Sequence, residues 1–393
     1  MLSLLPVECW EYKFSDIFRG LTVALGPKNR KKLFDIDGIG GCIPVRSGRV
    51  ALIAAIKALE LPPGACIGIP LYCCPVVFKA ITMAGCKARF IDIEPTTCCI
   101  SAGDLFAKRS RLDAVLAVHM FGNLCDMPKL QEAVQGKPII EDCAQSLGSR
   151  LNGRMAGSFG TITFFSFRSG KYLSAGEGGA LFSNNADICS RLNRLIAAMP
   201  APGRVDECVH VAMTYLRSIL RSKPLYGVAG HLLWHIYNRT VDDAGKSPII
   251  LSQIYRSDLA IAVDRLLRLD YVIKIQREHA DFYSRTLKLG PSILCAEKPG
   301  TFYNRYLYPI VFPSSECRDS MANYLRKRQI DTAKPYKDIV DVATAHYGYT
   351  GDCPIAEQAA KRTLVIPGYY RLKERDIQRI AQCLNEGWSE ITK

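Results

Sequence analysis

The chain has 393 residues, 48% of them hydrophobic and 22% charged, a balance that excludes a disordered or fibrous protein. Its length fits two domains, one large and one small. The net charge of +14 invites an anionic partner, but there is no zinc spacing and no aromatic RNA-binding signature, so no nucleic-acid partner is expected and the excess charge reads either as solvated surface or as attraction for an anionic membrane surface or a phosphorylated ligand.

Residues 1–40 read as an irregular packing arm with an aromatic stretch at Trp10, Tyr12 and Phe14 and a short basic run at Arg30, Lys31 and Lys32. Its start, MLSLLPVECWEYK, lacks the basic end and apolar core of a secretory signal. Residues 50–59 have the apolar spacing of a helix, with Ser47 and Gly48 just before it as a start signal. Residues 66–70 and 87–91 read as strands around a helix at 76–84, and 114–119, 138–141, 161–165 and 179–183 follow as further short apolar runs. Such alternation indicates an α/β layer with a mainly parallel sheet sandwiched by helices. Residues 258–288 turn long and helical, and then 306–312 reads as a strand and 317–328 and 374–384 as helices. The expected organisation is an arm at 1–40, a large domain at 41–258 and a smaller C-terminal α+β domain at 259–393.

Within the large domain, 196–255 looks like an insertion. Tyr215, Leu216, Ile219, Leu220, Leu225 and Tyr226 recur at near-helical spacing, with Arg217, Arg221 and Lys223 on other faces and Leu232, Leu233, Trp234 and Ile236 extending the apolar part. The uncharged run 224–238 is shorter than the roughly 20 residues a spanning helix needs. The segment reads either as a packing element, on a dimer or beside a pocket, or as a peripheral contact with an anionic membrane. Sixteen cysteines, without a paired CxxC motif, fit reduced thiols of a cytoplasmic protein, and no metal is expected.

In an open sheet of this kind, ligands bind beyond the carboxyl ends of the strands. After KPII comes EDCAQS, which offers Asp142 and, one helical turn on, Gln145; after TITFF comes SFRSGKYLSAGEGG, which offers Ser166 and Lys171. Ser47 and Gly48 precede a helix whose free N–H groups suit a phosphate. Each residue alone has a plain reading: a solvated lysine at 171, helix caps at Asp142 and Ser47. Together they match what a pyridoxal-phosphate (PLP) enzyme takes from its protein. It needs a lysine for the imine, a carboxylate that keeps the pyridine nitrogen protonated, a phosphate cup and a surface against the ring.

The ordered series EDxAQ, SFxxxK and GEGG, with PLYCC…AITMAGCKARFIDIEP at 70–95, VHMFGNLCDM at 118–127 and CPIAEQAAKRTLVIPGYYRL at 353–372, resembles the DegT/StrS-type sugar aminotransferases, fold-type-I PLP-dependent enzymes. The resemblance covers about residues 41–390 outside the 196–255 stretch. It implies PLP as cofactor, Lys171 and Asp142 as catalytic residues, Gln145 near the ring hydroxyl, and Ser47, Gly48 and Ser166 at the phosphate. It further implies a homodimer that converts a keto-sugar, typically nucleotide-linked, to an amino-sugar with a donor such as L-glutamate. Members with histidine at the lysine position are dehydratases, so Lys171 favours amino transfer over a PLP-dependent sugar dehydratase. The intact set of site residues speaks against a non-catalytic regulatory member.

Three positions depart from the family pattern. Arg49 follows Gly48 where relatives often carry threonine, and it stands either as a phosphate contact or turned away. Cys73 and Cys74 replace a threonine and a ring-stacking aromatic, which leaves Tyr72 as the candidate for that face. SQIYRSDLA stands where relatives have the Asn-x-Arg that reaches the neighbouring subunit, with Gln253 or Arg256 as substitutes. His119 reads equally as pocket floor or as a satisfied core histidine.

Overall fold

The computed structural model describes residues 4–27, 34–223, 225–230, 248–290 and 297–392. The basic run at 30–32 and the apolar residues Leu232, Leu233, Trp234 and Ile236 lie outside them.

The centre is an eight-stranded sheet in the order β1-β2-β10-β9-β6-β5-β3-β4. Its parallel half comprises β9 (Ile162–Ser166), β6 (Ile139–Asp142), β5 (Ala114–Val118), β3 (Cys66–Pro70) and β4 (Lys87–Ile91). β10 (Gly179–Phe182), β2 (Gly40–Val45) and β1 (Phe34–Ile36) extend it antiparallel. β5 reads AVLAV and is buried throughout, as a strand covered on both faces must be. The helix Gly48–Ala58 starts where the Ser47 side chain accepts the Val50 N–H at 3.3 Å, and it is buried from Val50 to Ile56 against the sheet. Register brings the functional strand ends level: Asp142 lies opposite both Val118 and Phe164, and Ser166 lies opposite Gly179.

A second core gathers in the C-terminal part, where β12 (Tyr308–Val311) pairs antiparallel with β13 (Thr363–Ile366) under the helices Ser315–Lys327 and Glu374–Ile391. The two parts interlock. β11 (Thr301–Phe302) pairs with β7 (Arg150–Leu151), which pairs in turn with β8 (Arg154–Met155), and Leu5 bridges to Ile330. The helical stretch expected over 258–288 is two helices, Arg256–Leu266 and Leu269–Thr286. They break beside Arg265 and Arg268, whose guanidinium groups are held by Asp16 and Glu11 of the N-terminal arm.

That arm is not wholly irregular, because it contains the helix Phe14–Leu25. The helix turns Asp16, Gly20 and Ala24 inward and leaves Phe14 and Phe18 73% and 74% exposed, the reverse of the pattern by which a surface helix is recognised. Its neighbour Arg204–Leu220, inside the insertion-like segment, is inverted in the same way. It buries Glu207, Thr214 and Ser218 and exposes Val205, Val209, Met213 and Leu216. Gly20 permits the close approach of the two, since a Cβ there would lie 2.9 Å from a Val211 methyl. Among the described residues no helix is long and apolar enough to cross a membrane.

Candidate active site

β6 ends in two consecutive carboxylates, and strand alternation sends their side chains to opposite faces. Glu141 is wholly buried and accepts the N–H groups of Gly157 at 2.6 Å, Phe159 at 3.0 Å and Gly160 at 2.8 Å, and it pairs with His119 Nε2 at 2.8 Å. Burial pushes its pKa up, but these donors outweigh burial and hold the carboxyl below its ordinary value. His119 Nδ1 accepts the Cys125 N–H at 3.1 Å, so the ring proton sits on Nε2 and both nitrogens are satisfied. Glu141 draws the imidazole pKa upward against burial, while the bond at Nδ1 favours the neutral ring. His119 is thus a core histidine. With Glu141 and Cys143 it forms a cluster tight enough for a metal, but its Nε2 and the Glu141 carboxylate are already spent on each other and on the 157–160 loop.

Asp142 is buried on the opposite face. One carboxylate oxygen accepts the Ala144 N–H at 2.9 Å, and the other has no partner among the described residues. Burial raises this carboxyl, and the Ala144 N–H and the charge of Lys171 partly offset it. Lys171 sits in a tight turn, its N–H donating to the Arg168 carbonyl at 2.9 Å and its carbonyl accepting the Ser174 N–H at 3.0 Å. Gly170 makes the turn possible: its φ is +90°, and a Cβ there would meet a Glu8 oxygen at 3.0 Å and Trp10 Nε1 at 3.1 Å. The half-buried Lys171 amine lies 4.6 Å from the centre of the Tyr306 ring, whose hydroxyl donates to the Gly170 carbonyl at 3.1 Å. Burial first, and the Arg168 charge second, bring this amine down to about 8 against the pull of Asp142 and Glu8.

The residues expected at a phosphate meet. A Cβ on Gly48 would lie 3.2 Å from the Ser166 Cβ and 3.4 Å from its hydroxyl oxygen, and Ser47 bridges to Gly178 of the GEGG loop. The start of the helix Gly48–Ala58, the end of β9 and the Lys171 loop therefore share one corner, where free N–H groups and a hydroxyl suit a phosphate. Arg49 is half-buried and makes no hydrogen bond or ion pair among the described residues. Gln145 accepts the Phe121 N–H at 3.1 Å, and its NH2 group rests 3.6 Å from the Met120 sulfur. A lysine whose pKa is lowered to about 8, a buried carboxylate with one open oxygen and this corner fit PLP.

Tyr72 does not take the role expected of it. It is fully buried, its ring against Phe121 and Tyr336 and its hydroxyl donating to the Pro335 carbonyl at 3.2 Å, so no face is left for a ligand. Tyr306 provides the aromatic surface beside Lys171 instead. Gln253 and Arg256 are both engaged within their own chain. Gln253 donates to the Met199 carbonyl at 3.0 Å, and Arg256 donates to the Ala24 carbonyl at 2.7 Å as a cap on the helix Phe14–Leu25. The cavity at Lys171 is walled in part by Val7, Glu8 and Cys9 of the arm, opposite Tyr306 and Tyr369. Nothing local in the arm announces this, because the contact is made through tertiary packing alone.

The profile of the DegT/DnrJ/EryC1/StrS aminotransferase family matches residues 14–212 and 253–385. GDP-perosamine synthase of Vibrio cholerae is 26% identical over 349 residues, covering 86% of this chain and 84% of its own length. UDP-N-acetyl-3-dehydro-alpha-D-glucosamine 3-aminotransferase of Acidithiobacillus ferrooxidans is 27% identical over 371 residues, covering 91% and 88%. The PLP form of a Streptococcus pneumoniae protein described as a sugar aminotransferase shares the fold, with a TM-score of 0.75 over 99% of each chain at 16% identity. The chain thus belongs to the DegT/DnrJ/EryC1/StrS aminotransferase family and is a transaminase.

Proposed function

We propose that the protein converts a nucleotide-linked keto-sugar to an amino-sugar, with PLP on Lys171 and an amino acid such as L-glutamate as donor. The observation that carries this reading is the convergence of Lys171, Asp142 and the Gly48–Ser166 corner at the carboxyl ends of the central strands β6 and β9. Its sugar substrate is supported by the relatives, which act on GDP- and UDP-linked sugars by name.

When bound, PLP supplies the electron sink that makes the donor's Cα–H acidic. The chain's own groups do the rest. With an amine pKa of about 8, Lys171 is neutral in about a tenth of molecules at pH 7, against about 1 in 3,000 for an ordinary lysine, and only the neutral amine attacks an aldehyde. Once displaced by the donor, the same amine is the base that takes the donor's α-proton. Asp142 holds the proton on the ring nitrogen, while Ser166 and the N–H groups at Gly48 bind the phosphate. Tyr306 shields the amine from solvent on one side.

The protein acts as a homodimer in this reading. The inverted helices Phe14–Leu25 and Arg204–Leu220 support it, since exposed apolar stripes are stabilised by burial against a second copy. The abundant thiols suit a reducing compartment such as the cytoplasm. Light scattering should return twice the chain mass, and Phe18→Glu with Val209→Glu should lower it. Binding to anionic liposomes that this pair abolishes would assign the stripes to a membrane instead. Catalysis is tested optically. Protein supplied with PLP should turn yellow, and L-glutamate or another amino donor should bleach it to the pyridoxamine form. A protein that takes up no PLP would refute the reading.

A further inference from the structure

The GEGG stretch lies between the Lys171 turn and the phosphate corner. On one side the Gly176 carbonyl accepts the Ser169 N–H at 2.9 Å, just before Lys171, and on the other Gly178 bridges to Ser47. A Cβ on Gly179 would lie 3.1 Å from the Gly48 nitrogen, so a shift of this stretch moves the groups that meet a phosphate. Glu177 is held here by a closed ring of side chains. Its carboxylate pairs with Arg46 at 2.9 Å. The Arg46 guanidinium lies 3.7 Å from the centre of the Tyr255 ring, and that ring stacks on His210 with centroids 4.2 Å apart and 24° between the planes. His210 Nε2 lies 2.9 Å from Asp258 Oδ1, and Asp258 Oδ2 accepts the Glu177 N–H at 3.2 Å, which closes the ring.

The ring is fitted closely to the loop. Gly176 has a φ of +111°, and a Cβ there would lie 3.1 Å from both Asp258 Oδ1 and His210 Nε2. Its members come from separate elements. Arg46 follows β2, His210 belongs to the helix Arg204–Leu220, and Asp258 lies in the first turn of the helix Arg256–Leu266. Arg46 and Asp258 are buried. Burial pushes the Asp258 carboxyl up to about 6, against the bond from His210. A carboxyl with a higher pKa folded than unfolded lowers the stability of the fold once it ionises, so at neutral pH its charge is not kept for stability. Apolar residues of similar volume brace a fold at least as well as buried ion pairs do, and what the charged ring adds is a defined geometry.

We infer that Arg46, Glu177, His210 and Asp258 are positioning residues of the phosphate corner, setting the 176–179 backbone against Ser47 and Gly48 so that the N–H groups at Gly48 and the Ser166 hydroxyl converge on the cofactor phosphate. The inference rests on the PLP reading above. The four residues act through the backbone of the GEGG stretch and do not themselves bind the phosphate. Each holds the next, so the ring works as a unit, and opening it at one contact releases Glu177.

The test compares wild type, Glu177→Gln, His210→Phe and the double variant. Glu177→Gln keeps the size and loses the ion pair, while His210→Phe keeps a ring against Tyr255 and loses the bond to Asp258. Absorption titrations of each apo-protein measure its affinity for PLP and for pyridoxal, which lacks the phosphate, and thermal melting checks the fold. Each single variant should reduce the preference for PLP over pyridoxal by about tenfold, with pyridoxal affinity unchanged. The double variant should lose no more than the worse single one, because a ring opened once is open. If either substitution unfolds the chain, Arg46→Met opens the same ring and is read in the same way. A lower melting temperature with the wild-type preference intact is the mark of a plain structural brace and would overturn the inference, as would losses that add in full. Those results leave PLP uptake by the wild type standing. A wild type that takes up neither ligand would instead refute the PLP reading, and the inference with it.

Discussion

At the scale of single residues, two consecutive carboxylates on opposite faces of β6, Glu141 and Asp142, show how one strand end divides its labour. Glu141 is a structural carboxylate that organises the 157–160 loop and His119, whereas one Asp142 oxygen has no partner among the described residues. Asp142→Asn should therefore keep PLP on the protein but lose most of the turnover rate, since an amide does not hold the pyridinium proton; near-normal steady-state rates would remove Asp142 from the mechanism. The Lys171 amine supplies a pH dependence. Because burial lowers its pKa to about 8, the protonated and unreactive form dominates below that value, so PLP uptake by apo-protein should accelerate about tenfold per pH unit up to about pH 8 and then level off. Stopped-flow absorbance over pH 6 to 10, at roughly unit steps, checks this, and a plateau reached only near the ordinary lysine value would mean the amine is not desolvated.

At the scale of elements, the loop 167–178 carries most of the chemistry and depends on Gly170. Gly170→Ala adds both a disfavoured φ and a contact with Glu8 and Trp10, so it should cost about 1–3 kcal/mol of stability and loosen the arm from the site. The denaturation midpoint and the protease sensitivity of the arm measure it, and an unchanged midpoint would show that the arm is not packed on this turn. Six of the eight sheet strands, β3 to β6, β9 and β10, are legible in the sequence as short apolar runs within a residue or two of where they lie, whereas β1 and β2, in and just after the stretch read as an irregular arm, are not. The helices Phe14–Leu25 and Arg204–Leu220 explain the opposite outcome. Phe14–Leu25 hides its small and acidic residues and displays its aromatics, so hydrophobic periodicity could not mark its buried face.

At the scale of the whole molecule, the pocket is assembled from parts far apart in the chain: the arm at residues 7–9, the turn that carries Gly170, Lys171 and Tyr172, and Tyr306 and Tyr369 from the C-terminal part. Lys171, Asp142, Ser166, Gly48 and Gln145 could be singled out from sequence because strand ends and motif order identify them. Tyr306 and Glu8 could not, because only tertiary packing brings them to Lys171. Tyr72 differs from its expected role for the same reason: it stands next to the stacking position in sequence, but the fold packs Phe121 and Tyr336 against it. The central claim is that Lys171 carries the cofactor. Borohydride reduction of the PLP-loaded protein, followed by peptide mass mapping, tests it most directly. The pyridoxyl mass should fall on Lys171 alone and disappear in Lys171→Ala while the circular dichroism spectrum is retained. A pyridoxyl group reduced onto another lysine, or retained in the folded variant, would contradict it.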